Sequence, residues 1–176
     1  GPEVSAGAID VTVVGQDEWA SLAPVFAQFF PDYIKGIEPD VDAADRFMTQ
    51  SRGKRLAFVM PRGIGPTAWT DDERTQTHLR RRYMLLGQTL AGMRVYDTLC
   101  GLNLLKRLND PSEPLKIHAS GDPAVWVVYA SLFTDGIKSL DVDGLPERNR
   151  DAPDILNVSR FVELADVVKI AKRKTK

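Results

Sequence analysis

Four short runs rich in β-branched and aromatic residues punctuate this sequence: "AIDVTVV" (8–14), "KRLAFVM" (54–60), "PLKIHA" (114–119) and "GIKSLDV" (136–142), each stopped by Gly, Pro or Asp. Between them lie longer stretches whose apolar residues recur with helical period, at 17–30, 42–51, 74–108 and 123–133, and a last one follows at 161–172. Strands separated by helices of ten residues or more join in parallel, because each crossover must return to the same edge of the strand before it. The pattern therefore predicts an α/β fold: three layers, α/β/α, around a mainly parallel sheet of about four to five strands. In the long segment Leu79, Tyr83, Leu86, Leu90, Met93, Cys100, Leu104 and Leu108 fall at steps of three, four or seven, and this stripe is expected to face the sheet.

The length, 176 residues, suits one domain with its own core. Gly1 and Pro2 read as the remnant of a cleaved tag, so the chain is expected to be a fragment or terminal domain of a larger protein. The one linker-like stretch is "DGLPERNRDAPD" at 143–154, rich in charge, Gly and Pro.

Acids and bases nearly cancel, to a formal charge of −1, which leaves no field to attract nucleic acid or an anionic membrane surface. The basic clusters "HLRRRY" (78–83) and "KRKTK" (172–176) are local and read as a solvated helix face and a polar tail. Cys100 is the only cysteine, which excludes an intrachain disulfide, and its neighbours Leu99 and Leu102 predict a buried filler. No run approaches the roughly 20 apolar residues of a membrane span, and no signal peptide is visible at the start.

In a parallel sheet, sites form where the carboxyl ends of the strands meet their loops, here 15–18, 61–72, 118–123 and 141–154. The second of these, "PRGIGPTAW", resembles the loop D-x-R-G-x-G that follows a core strand in α/β-hydrolases, with Met60 where that family usually has Asp. The run "RRRYMLLGQTLAGMRVYDTLCGLNLLKRL" (80–108), the segment with "YASLF" and the strand "IKSLDVDGLP" continue the likeness in order. Over roughly residues 54–165 the chain thus resembles the acetyl-xylan-esterase-like and prolyl-oligopeptidase-like branch of the α/β-hydrolase superfamily, as a truncated core. The resemblance implies ester hydrolysis through a Ser, a His and an Asp, a carbohydrate or ester ligand, and a bacterial, secreted or periplasmic setting.

Hydrolases of this fold place the nucleophile in G-x-S-x-G, since a strand-to-helix turn that sharp needs small residues around the exposed hydroxyl. Here the five residues are His118, Ala119, Ser120, Gly121 and Asp122 if Ser120 is the nucleophile; counting back from "YAS" puts Gly121 there instead. The same "SGDP" also reads as a plain helix start, with Asp122 as cap and Pro123 as first helical residue. The family orders its triad Ser, acid, His, yet the only histidines are His78 and His118, and none follows. His118 is two residues from Ser120 and would share its strand face, while Asp141 and Asp143 stand near the usual position of the triad acid. Asp97 lies three residues after Arg94, so the two are expected to form a local ion pair.

No metal or cofactor is expected. The D-x-D-G start at 141–144 lacks the later ligands of a calcium loop, and the 63–73 loop has neither G-x-G-x-x-G nor a Walker lysine. The helix start with Gly121, Asp122 and Ala124 could hold a small anion on its amides. Three readings follow: a catalytically degenerate hydrolase-like domain, accessory to the other domains of a larger, carbohydrate-active hydrolase; an active ester hydrolase; and a flavodoxin-like domain binding a small anion or flavin.

Overall fold

The computed structural model describes residues 7–70, 72–110 and 112–175, and Gly1 and Pro2, read above as a tag remnant, lie outside them. The chain is α/β. Four strands, β1 (Ile9–Val13), β2 (Arg55–Val59), β3 (Leu115–Ser120) and β4 (Ile137–Asp143), form one all-parallel sheet in the order β2-β1-β3-β4. Six helices join and flank them: α1 (Gln16–Phe29), α2 (Val41–Ser51), α3 (Glu73–Leu85), α4 (Leu90–Leu108), α5 (Asp122–Ser131) and α6 (Leu164–Lys174). Among the described residues no helix is long and apolar enough to cross a membrane.

Two consecutive residues of β2 show how the layers form. Phe58 points to one face, where its ring meets Phe26 of α1 at 5.1 Å and Phe47 of α2 at 6.1 Å. Val59 points to the other, against α4, where a Cβ on Gly101 would lie 2.8 Å from its Cγ1. So α1 and α2 cover one face of the sheet, and α4 covers the opposite one together with α5 and α6. The core is one continuous cluster in which Val11, Val13, Leu115 and Ile117 are fully buried, and each such side chain contributes about 2 kcal/mol relative to exposure.

The single long helix expected over 74–108 is two. α3 stops at Leu85, Gly87 takes a positive φ of 70°, and Thr89 starts α4 by accepting the Gly92 amide at 3.1 Å on its Oγ1. The stripe expected to face the sheet fails with it: Leu86 is 76% exposed, and Leu104, Leu108 and Cys100 are exposed as well. The buried side of α4 runs instead through Ala91, Thr98 and Leu102. Small residues there allow the helix backbone to approach the sheet, as Gly101 does at Val59, and apolar bulk is displaced to the outer side.

The loop at 143–154 is not a free linker. Leu145 and Ala152 pack on the core, and the Asn149 side chain donates to the Val162 carbonyl at 2.7 Å and accepts the Leu164 amide at 2.8 Å, fixing the loop to the start of α6.

Candidate functional site

β1 and β3 are neighbours, but the helices that follow them lie on opposite faces, so the chain parts at their carboxyl ends. That is the topological switch point, where a parallel sheet opens a crevice. It holds a cleft of about 700 Å³ lined by Gly15, Gln16, Asp17 and Glu18 from the start of α1, by Ser120, Gly121 and Asp122 from the start of α5, and by Ile64, Arg94 and Trp126. The two helix starts abut, since a Cβ on Gly15 would stand 2.7 Å from Cγ of Pro123. Glu18 turns back on its own helix and accepts the Gly15 amide at 2.9 Å.

The corner between β3 and α5 is made by one residue. Gly121 has φ 63° and ψ −132°, a backbone conformation that side chains rarely tolerate, and it turns the strand directly into the helix. The cap is therefore Gly121 rather than Asp122, because the positive φ places Asp122 and Pro123 already inside the first turn. Space around the corner is open: a Cβ built on Gly121 meets nothing within 4 Å. Its amide donates to the Asp143 carbonyl at 3.0 Å, and the Ala124 amide donates to the Gly121 carbonyl at 3.1 Å. Pro123 has no amide hydrogen to give. The turn thus commits the Gly121 and Ala124 amides internally and adds the Asp122 carboxylate beside them.

Ser120 is the last residue of β3, exposed, and pairs in register with Asp143. His118 and Ser120 share a strand face, as alternation requires, but among the described residues no hydrogen bond joins them. His118 Nδ1 instead meets Asp141 Oδ2 at 3.2 Å across the β3/β4 register. This pair lies on a part of the sheet where α1 and α2 do not reach, with side-chain exposures of 44% and 66%, and Lys116 and Asp10 stand on the same face. The structure therefore brings together His118 with Asp141, and Ser120 with Asp143 by strand register, and among the described residues gathers no Ser-His-Asp relay. His78, in the exposed α3, is far from being core and belongs to no hydrogen-bonded group with them.

Two residues at the cleft carry signals beyond the local ion pair expected of Arg94. Arg94 lies on α4 between Ala91 and Thr98, on the buried side of that helix, where a charge is costly without a purpose. Its guanidinium carbon sits 4.9 Å from the centroid of the Trp126 ring, and its Nε donates to the Arg62 carbonyl at 3.1 Å. Burial lowers its pKa, Asp122 and Asp97 oppose that shift, and the like charge of Arg80 adds to it. Trp126 is 1% exposed, and among the described residues its Nε1 has no hydrogen-bond partner.

Asp97 does not pair with Arg94. It reaches across to Arg62, which donates to it through Nε at 2.6 Å, Nη2 at 2.6 Å and the backbone amide at 3.0 Å. A planar guanidinium fork fits a carboxylate better than the local helical geometry at three residues' spacing, and it fixes the 60–67 loop to α4. No family model, curated protein or solved structure matches this chain. Burial pushes the Asp97 carboxyl upward, but the hydrogen bonds and charge of Arg62, helped by Arg94, outweigh it and hold the group below the usual carboxylate range.

Proposed function

We propose that this chain is a catalytically silent α/β-hydrolase-like domain, serving as an accessory module of a larger hydrolase. One observation carries the reading: the sharp strand-to-helix corner at φ 63°, ψ −132°, the position from which hydrolases of this architecture present their nucleophile, is held by Gly121, which has no side chain to present. The hydroxyl next to it, on Ser120, ends the strand and has no imidazole bonded to it, while His118 is engaged with Asp141 on an open sheet face. A serine hydroxyl without a base to take its proton is a poor nucleophile at neutral pH. The accessory role, and the carbohydrate or ester ligand of the parent, rest on the resemblance of residues 54–165. The open polar half-face of β3 and β4 supports that role, because it is a surface on which a further domain can pack without exposing apolar area.

The test is hydrolysis of a panel of p-nitrophenyl esters, from acetate to butyrate, by the purified chain and by Ser120→Ala. The expected result is that both give the same slow rate as buffer with an inert protein. A rate well above background that disappears in Ser120→Ala would overturn the reading.

A further inference from the structure

Beside the switch-point cleft, and joined to it through Gln16 and Arg94, lies a second hollow of about 300 Å³. The 63–70 loop forms one wall and the facing sides of α3 and α4 the other. The two spaces differ in charge. The cleft is lined by Asp17, Glu18 and Asp122 against Arg94 alone, and so repels anions. The hollow has two arginines, Arg80 and Arg94, and no carboxylate among its described lining residues.

Among the described residues neither arginine forms an ion pair. Among the described residues Arg80 forms no ion pair or hydrogen bond, and Arg94 has only the bond from Nε to the Arg62 carbonyl, which leaves its two terminal nitrogens without an acceptor. The like charge of Arg80 acts on Arg94, more weakly than the opposite charges of Asp122 and Asp97 do. The same two arginines also line, on their other side, a hollow of about 260 Å³ with Asp122 and Asp154, whereas on this side no described carboxylate faces them, and the planar fork of each matches the oxygens of a carboxylate or phosphate. Part of the wall, Ala68, Trp69 and Leu90, is apolar, beside the polar Gln16, Thr70 and Gln76. Trp69 is 43% exposed and stands with Leu90 at the hollow, while the Gln76 amide is held in place by donating to the Thr70 carbonyl at 2.9 Å. A Cβ on Gly63 would come within 3.1 Å of the Trp69 ring, so the absence of a side chain there lets the indole lie flat on the loop.

We propose that this hollow binds a small organic anion, its carboxylate or phosphate group between Arg80 and Arg94 and its carbon portion against Trp69 and Leu90. The size is at the lower end of small-molecule sites, which fits a compact ligand rather than a nucleotide. The site stands independently of whether Ser120 is inert, and Ser120 does not line it.

Calorimetric titration of the purified chain at low ionic strength, with benzoate, phenyl phosphate, inorganic phosphate and neutral benzamide in separate runs, tests the proposal. The expected result is saturable binding of benzoate or phenyl phosphate at one site, the tighter of the two naming the charged group, with no binding of benzamide. Affinity is expected to fall about tenfold or more in Arg80→Gln and in Arg94→Gln, and to stay unchanged in Ser120→Ala. Arg94 also packs on Trp126, so the exposed Arg80 carries the test if Arg94→Gln does not fold. Absence of saturable binding by either organic anion, binding of inorganic phosphate alone, or an affinity untouched by Arg80→Gln would overturn it.

Discussion

Gly144 is packed against Gly121: a Cβ on Gly144 would lie 3.2 Å from the Gly121 nitrogen and 3.5 Å from its Cα. The end of β4 and the corner after β3 are thus in backbone contact, and the bond from the Gly121 amide to the Asp143 carbonyl, 3.0 Å, joins them one residue earlier. The corner is held in its unusual conformation from outside as well as by glycine's own freedom.

Gly144→Ala tests that contact. Its φ of +64° disfavours any side chain, and the added methyl meets backbone that cannot rotate away. The expected loss is about 1–3 kcal/mol in urea unfolding, from the two effects together. A change of a few tenths of a kcal/mol would mean that β4 and the corner are not coupled.

Gly121→Ser places a hydroxyl at the corner itself. Space is open there, so the cost is backbone strain alone, about 1–3 kcal/mol, and the variant is expected to fold. It is expected to gain no esterase activity, since no imidazole is bonded near the corner to take the proton. The rate of p-nitrophenyl acetate hydrolysis measures this directly, and a clear gain would show that a usable base is already in place.

Asp97→Asn removes one half of the Arg62 fork. At neutral pH it is expected to lower stability by about 2 kcal/mol, the range of hydrogen bonds to charged groups. The Asp97 carboxyl titrates lower in the folded chain than in the unfolded one, so its contribution is present above the unfolded value and is lost as pH falls through the folded one. Urea unfolding at neutral pH and again well below pH 4 should therefore show the gap between wild type and variant closing in acid. A gap that is constant with pH would place the effect in packing rather than in charge.

His118→Ala and Asp141→Asn bear on the pair that most resembles catalytic machinery. Both groups are open to solvent, and an exposed pair of this kind contributes about 1 kcal/mol or less. Each variant is expected to unfold within about 0.5 kcal/mol of wild type in urea, as surface substitutions usually do. A loss of several kcal/mol in either would mean the sheet face is covered in solution.

The strands and most helices were legible because each run of β-branched residues is short and closed by a turn residue, so the boundaries at Val13, Val59 and Asp143 lie within a residue or so of the sequence expectation. The long helix was not, because leucine bulk at Leu86, Leu104 and Leu108 imitates a core stripe while Ala91, Thr98, Gly101 and the one buried leucine, Leu102, make the packed side. A rule that looks for apolar bulk reads the wrong side of a helix that packs closely. With the right side identified, Arg94 stands out as a charge on a buried stripe, the signal that leads to the second hollow. The partner of Asp97 was also out of reach, since Arg62 is 35 residues away in sequence and only the loop after β2 brings it to α4.

We propose that the corner after β3 presents no nucleophile. The most direct measurement is intact-mass and peptide mapping of the native chain after prolonged exposure to an excess of a fluorophosphonate probe. Unmodified protein, with Ser120 recovered unlabelled, is the expected result; a stoichiometric adduct on Ser120, absent after heat denaturation, would overturn the proposal.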